Sequence, residues 1–445
     1  MYQDFTEGAI AKPLLKFAIP ILFSLFLQNL YGAVDLLIVG HFGSPSDVSA
    51  VSTGTLLMQT ITFFITGLSI GLTIIAGHKI GERKEHEAGS IIAKAIVFFL
   101  VLALALTIVL LLLSRPAVTI MKTPEEAFEG TLSYVRICSL GMLMIVSFNL
   151  IGAIFRGIGD SRMPLIAVSI ASLVNILGDL ILVGFFSLGP AGAAIATIFA
   201  QSVSVILSLM ISRRRTLPFR ISKEDFRWSW SVNKSILNLG LPTAIQDVLV
   251  TVSFLFLISI ANSLGVIASA GVGIAEKICG FVMLIPSSYN QSIATFVAQN
   301  EGAGKIKRAR RALALSCVMS LFTGLFIFYG TFFHGNLISS IFSSDEAIVA
   351  ASFSYLKAYA IDLLFVSLYF CFTGYLVGRG KTLFVMIVGL VGSFLVRTPL
   401  AWLFSQIEGI SLFGIGLCIP ISTGMQLIIV LFYLAYLFKK DGSKL

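Results

Sequence analysis

Charge is what this chain has least of. Only 12% of its 445 residues are Asp, Glu, Lys or Arg, about half the share a soluble domain carries. A soluble globule is therefore excluded. The 57% hydrophobic content and mean hydropathy of +0.97 place nearly the whole length in a membrane. Cysteine is scarce as well. The five are an odd number, all lie in or beside apolar runs, and none has zinc-finger or redox spacing, so they read as small buried hydrophobes. The four histidines show no ligand spacing. No Walker-type phosphate loop is present: Gly81-Glu-Arg-Lys and Gly302-Ala-Gly-Lys are turns that follow no strand. Nothing supports ATP coupling or membrane enzymology, and no cofactor is expected. The first apolar run lacks a cleavage pattern and is too long for a secretory signal, so it is expected to stay as a span.

What is there is a succession of twelve apolar segments, at about 14–40, 48–76, 91–113, 131–155, 163–186, 190–212, 235–261, 266–296, 312–333, 352–377, 383–405 and 411–438, each long enough to cross a bilayer. An even number puts both termini on one side. Most of the 31 Lys and Arg fall on that side, against Arg115 and Lys122 on the other. The positive-inside rule makes both termini cytoplasmic and the protein a multi-pass component of the cell membrane. The net charge of +9 is thus a topology signal, and no nucleic-acid partner is expected. The longest basic connection, Arg213 to Lys234, carries Trp228 and Trp230 and bisects the chain. It reads as a linker lying along the inner surface as a short amphipathic stretch.

The halves repeat at an offset of about 221–222. Leu15 to Pro20 falls on Leu237 to Pro242, Gly77 to Gly81 on Ala298 to Gly302, Tyr134 on Tyr355, and Gly157-Ile-Gly159 on Gly378-Arg-Gly380. Each half has six spans, so the repeat is parallel. The expected architecture is all-α, with two six-helix lobes (1–212 and 235–445) joined by a linker (213–234) and facing a shared cavity.

Against this apolar background Asp35 stands out, because a charge in a spanning helix costs about 2.5–3.5 kcal/mol on insertion scales and marks a functional site by default. Gln28, Tyr31 and Asp35 share one face of segment 1 at spacings of three and four, and Asn175 and Asp179 share a face of segment 5. Counted from the ends of their segments, Asp35, Asp179 and Thr197 of segment 6 reach a similar depth, roughly 7–11 Å below the outer boundary. The repeat supplies a control. Asp35 aligns with Leu257, and Asn175 and Asp179 align near Val396 and Leu400, so the polar set belongs to the first half alone. Such an oxygen-rich group suits sodium, or a proton shared between carboxylates. Each polar residue hydrogen-bonding separately to a neighbouring helix is the other reading. Glu276, Lys277 and Asp362 line the cavity or form interhelical pairs. Asp247 lies near the inner mouth, and Lys357 and Arg397 are close enough to the interfaces to snorkel.

These residues resemble a family, the multidrug and toxic compound extrusion (MATE) transporters of the bacterial and archaeal kind. The likeness covers essentially the whole chain. It rests on Ile19-Pro20 through Gln28-Asn-Leu-Tyr31, Val34-Asp35 to Gly40, Gly67-Leu-Ser-Ile-Gly71, Arg156-Gly157-Ile-Gly159-Asp160, Asn175-Ile-Leu-Gly-Asp179 and Gln299-Asn-Glu-Gly302-Ala-Gly. The resemblance implies twelve helices in two bundles of the MATE/MOP type and cation-coupled export. It also implies an N-lobe cation site at Asp35, Asn175, Asp179 and Thr197, which would hold Na⁺ if the coupling ion is sodium. Gln28, Tyr31 and Asn149 match polar positions lining that lobe, and Pro20 matches a proline at which helix 1 bends. Asp247 and Asp362 do not fall clearly on the acidic positions that another branch uses in helices 7 and 10. The expectation is a monomeric Na⁺- or H⁺-coupled antiporter in the lipid bilayer, exporting amphiphilic, cationic organic compounds. The alternative on the same scaffold is a flippase or exporter of a lipid-linked or other endogenous metabolite. A polyanionic headgroup would want Arg or Lys where this lobe has carboxylates.

Overall fold

The apolar runs become helices. The computed structural model describes residues 2–407 and 409–442. Its helices are α1 (Ala11–Phe42), α2 (Pro45–Gly81), α3 (Glu85–Ile120), α4 (Glu125–Leu140), α5 (Met142–Gly157), α6 (Arg162–Asp179), α7 (Gly189–Arg213), α8 (Trp230–Ser263), α9 (Val266–Val282), α10 (Leu284–Gly302), α11 (Ile306–Ser339), α12 (Glu346–Gly378), α13 (Thr382–Leu390), α14 (Thr398–Ser405), α15 (Leu412–Gly416) and α16 (Cys418–Gly442). Among the described residues eleven are long and apolar enough to span a membrane, counting α6, α9, α13 and α15 with their continuations, and α4 with α5 makes a twelfth bent by 57°. Leu112, Phe322, Phe326 and Phe432 lie exposed on the helix surfaces, as side chains that meet lipid rather than water should.

Local chemistry sets several boundaries. Ser44 and Asp47 form a reciprocal capping box in front of α2, with Pro45 at its first position. Buried Asp160 accepts from the backbone N–H groups of Arg162 (2.9 Å) and Met163 (3.2 Å) at the start of α6 and takes the guanidinium of Arg215 at 3.1 Å. Asp345 accepts from the N–H groups of Ala347 and Ile348 at the start of α12. α1 continues without a break through Pro20. Two turns are π-helical: Leu180–Phe185, which continues α6, and Val391–Arg397 between α13 and α14.

The chain forms two compact units. The first comprises Met1–Gly8, Leu15–Ala244 and Ala298–Gly304. Its core lies between α2, α3, α4 and α5, through Ile65, Leu68, Leu72, Phe99, Leu132 and Val146. A buried amide cluster closes one end of it. The Gln299 side chain accepts from Phe5 N–H (3.3 Å) and donates to the Gly157 carbonyl (3.2 Å), while Asn300 donates to the Phe5 carbonyl (3.1 Å). Beside this cluster Gly81 presses on the carbonyl of Gln299, and Gly302 presses on the carbonyl of His78. A Cβ at either glycine would overlap the facing backbone.

The second unit comprises Ala9–Leu14, Ile245–Val297 and Lys305–Leu445. Its core gathers Leu257, Val272, Ile278, Tyr355, Tyr359 and Cys418. At the end of α16, Asp441 takes the guanidinium groups of Arg379 (2.7 Å) and Arg310 (2.8 Å).

Candidate functional site

In the first unit α1, α6 and α7 bring their polar side chains to one place. Asp35, Asn175 and Asp179 are all buried, and Thr197 is half-buried. Asn175 Nδ2 donates to Thr197 Oγ1 at 3.5 Å. Asp35 lies within side-chain hydrogen-bonding reach of both Asp179 and Asn175. Yet Asp35 Oδ1, Asn175 Oδ1 and both carboxylate oxygens of Asp179 have no hydrogen-bond partner. These observations agree once donors are counted. Two ionised carboxylates in contact offer acceptors only, so no hydrogen bond forms between them unless one is protonated, and a bound cation would satisfy them by coordination instead.

That deficit defines what the arrangement does chemically. Orphaned buried acceptors are costly, and like charges at this range repel. Four unpartnered oxygens on neighbouring side chains in an apolar interior suit a hard cation or a shared proton. Among the described residues no cluster of three or more His, Cys, Asp or Glu forms here, which suits sodium better than a transition metal. Asp179 also closes α6 directly before the π-helical turn. Wide turns of this kind are frequent at functional sites.

The other sequence-derived residues divide. Tyr31 is half-buried beside Asp35, with its hydroxyl against Gln201. Gln28 is half-buried on the same helix face, further from the cluster along α1. Asn149 is engaged elsewhere: its Oδ1 accepts from Thr66 Oγ1 (3.0 Å) and its Nδ2 donates to the Ile145 carbonyl (2.8 Å), which ties α5 to α2. Gln201 was missed, although it follows Thr197 by four residues on the same helix face. Its buried Oε1 is also without a partner.

In the second unit Arg397 does not snorkel. It is 7% exposed. Its Nε donates to Ser253 Oγ and its Nη2 to Ser393 Oγ, both at 3.2 Å, and the guanidinium lies 4.0 Å from the centre of the Phe254 ring. Glu276 accepts from the Tyr355 hydroxyl at 2.9 Å, whereas its neighbour Lys277 is exposed. Asp362 is buried, with Oδ1 unpartnered. Lys357 is half-buried over the Phe353 ring at 4.3 Å, and Asp247 is half-buried.

The MatE family model matches the chain twice, over residues 20–181 and 242–403. The chain belongs to the MatE family. It is therefore a membrane transporter and not an enzyme. The two matches begin 222 residues apart, which keeps Leu257 opposite Asp35 and sets the counterparts of Asn175 and Asp179 near 396–397 and 400–401. Among curated relatives, a probable multidrug resistance protein, YpnP of Bacillus subtilis, is 26% identical over 420 residues, covering 94% of this chain and 93% of that one. NorM of Thermotoga maritima, also named a probable multidrug resistance protein, is 27% identical over 415 residues and covers 91% and 88%. A FAD transporter of Shewanella oneidensis is 23% identical over 440 residues and covers 96% and 95%. Among solved structures, a MOP superfamily transporter from Pyrococcus furiosus superposes with a TM-score of 0.90 at 21% identity, over 96% of each chain. At that identity the superposition shows the MATE/MOP fold alone. This MatE-family chain is thus an all-α, multi-pass membrane protein.

Proposed function

We propose that this chain is a cation-coupled secondary antiporter that exports amphiphilic, cationic organic compounds by alternating access, with Na⁺ or H⁺ as the coupling ion. The observation that carries the reading is the Asp35–Asp179 pair, held with Asn175 and Thr197 in an apolar interior with no donor between the carboxylates. Ionised, the pair draws a cation into the first unit. Binding neutralises it and lets α1 settle against α6 and α7, with Pro20 as the hinge because proline leaves the carbonyl four residues earlier without its helical donor. Differential affinity of the two conformations for ion and drug then couples their fluxes. Gln28, Tyr31 and Asn149 line the substrate route. The names of the YpnP and NorM relatives support drug-like substrates. In this reading the lobes are residues 1–212 and 235–445, both termini are cytoplasmic, the monomer is the working unit and no cofactor takes part.

The FAD transporter among the relatives favours one second reading, export of an endogenous metabolite on the same scaffold. The test is efflux from proteoliposomes under separately imposed sodium and proton gradients, comparing a cationic dye with a flavin nucleotide. Wild type is expected to export the dye when the coupling gradient is imposed, and Asp35→Asn and Asp179→Asn are expected to abolish that dependence. Undiminished gradient-driven export in both variants would overturn the coupling assignment. Transport of the flavin alone would favour the second reading.

A further inference from the structure

The connection between α7 and α8 is more built than a linker requires. It contains a single short 3₁₀ turn, Lys223–Asp225, rather than an amphipathic helix, yet it is fixed to the start of α3 at several points. Arg220 N–H donates to the Glu85 carbonyl at 3.4 Å. The Arg220 carbonyl sits so close to Gly89 that a Cβ there would overlap it. Asp225 turns inward and accepts from the Ser222 N–H (2.9 Å) and hydroxyl (2.8 Å), with Ser90 of α3 also in reach. Trp228 leans on Phe98 of α3, ring centres 6.2 Å apart. The loop is thereby held where α3 and α8 begin and α7 ends.

Its outward side alternates cation and apolar ring. Arg220, Lys223 and Arg227 are exposed between Ile221, Phe226 and Trp228, which are also exposed, and Trp230 follows at 64%. Residues 213–234 hold seven Lys and Arg against Glu224 and Asp225. Asp225 is turned in, and Arg215 is the one cation committed to a buried partner, Asp160. Arg220 reaches Glu85 only at 4.0 Å.

We propose that this loop is a binding site for anionic phospholipids of the leaflet it faces, with Arg220, Lys223 and Arg227 taking the headgroup phosphate and Phe226, Trp228 and Trp230 entering the acyl boundary. Guanidinium groups match phosphate geometry. Exposed tryptophans beside helix ends belong at the headgroup level. A nucleic acid would satisfy the cations but would leave the aromatic side chains at the bilayer edge without an apolar partner. An amphiphile with an anionic head satisfies both.

The chain has three tryptophans, Trp228, Trp230 and Trp402, so Trp402→Phe leaves fluorescence that reports the loop alone. The full chain is reconstituted in phosphatidylcholine bilayers containing either brominated phosphatidylglycerol or brominated phosphatidylcholine at the same mole fraction. Stronger quenching by the anionic lipid is expected, weakening in high salt as the charges are screened. Each cation beside an anionic leaflet strengthens attraction about fivefold. The triple change Arg220→Gln, Lys223→Gln and Arg227→Gln should therefore cut the preference by at least about tenfold, whereas Arg227→Lys should keep most of it. Equal quenching of the wild-type loop by the two lipids overturns the proposal on its own, whatever the variants do. An undiminished preference in a triple variant that melts like wild type overturns the assignment to these residues.

Discussion

Replacing Asp35 by Asn removes one of two carboxylates that face each other without a donor and supplies an amide N–H to the one that remains. At side-chain contact, about 4 Å, two unit charges in a protein of effective dielectric constant near 20 repel by about 4 kcal/mol. In the proposed mechanism wild type relieves that repulsion by taking up a proton or a sodium ion. The ion-free, ionised protein should therefore melt lower than the ion-bound protein, since a ligand of the folded state stabilises it by mass action. Asp35→Asn should melt higher than wild type in ion-free alkaline buffer, by roughly several degrees for a chain of this size, and should gain little from added Na⁺ or from lowered pH. The assay is thermal unfolding of the purified protein followed by its tryptophan fluorescence, scanned over sodium at fixed pH and over pH at fixed sodium. The scan that moves the wild-type transition identifies the ion. A variant that melts no higher than wild type in ion-free buffer, yet keeps the full ion-dependent shift, refutes the reasoning.

Other expectations follow from packing and from the buried second-unit cation. Arg397→Leu deletes hydrogen bonds from a buried guanidinium to Ser253 and Ser393 and should cost about 2 kcal/mol, seen as a lower melting temperature. Asp160→Ala removes both the α6 cap and the partner of Arg215 and should lower stability by about 1–2 kcal/mol, whereas Asp160→Asn keeps the cap and should lose less. Gly81→Ala forces a Cβ into the carbonyl of Gln299 and should destabilise by about 1–3 kcal/mol, checked by folded yield and melting. Asp225 is held at about 2, below its usual 3.8, by the Ser222 N–H, Ser90 and the Ser222 hydroxyl, with His86 adding a smaller effect. A lowered carboxylate value gives stability that is present above 3.8 and is lost as pH falls towards 2. Trp228 and Trp230 emission in a Trp402→Phe background should therefore shift only within that interval.

Helix number and rough extent were legible because lipid imposes long apolar runs and few alternatives. The geometry of the first-unit cluster was legible for a similar reason. Depth along a helix is a residue count, and Asn175 and Asp179 four apart must share a face. Counting fails where the helix is not regular. The bend between α4 and α5 falls at Gly141 inside what reads as one apolar run. Arg397 ends a π-helical turn, and it turns inward to Ser253 where a residue count placed it near an interface. Asn149 shows a different limit. Its position on α5 follows from the residue count, but which neighbour a side chain with two hydrogen-bonding ends takes does not, and here that neighbour is Thr66. Gln201 carried the same spacing signal as Asn175 and Asp179 but no charge to draw attention to it.

The contact at Gly81 and Gly302 has a further consequence. His78 and Gln299 are equivalent positions of the two repeats, as are Gly81 and Gly302, and each glycine meets the carbonyl of the other repeat's partner residue. Such reciprocity is the signature of a self-complementary, two-fold surface, in which residue i touches j and j touches i. Two separate half-length chains, each with one copy of this segment, would make the same contact twice on meeting. The crossing therefore has the symmetry of a homodimer's docking face within a single polypeptide, although only the first repeat carries the carboxylates around Asp35.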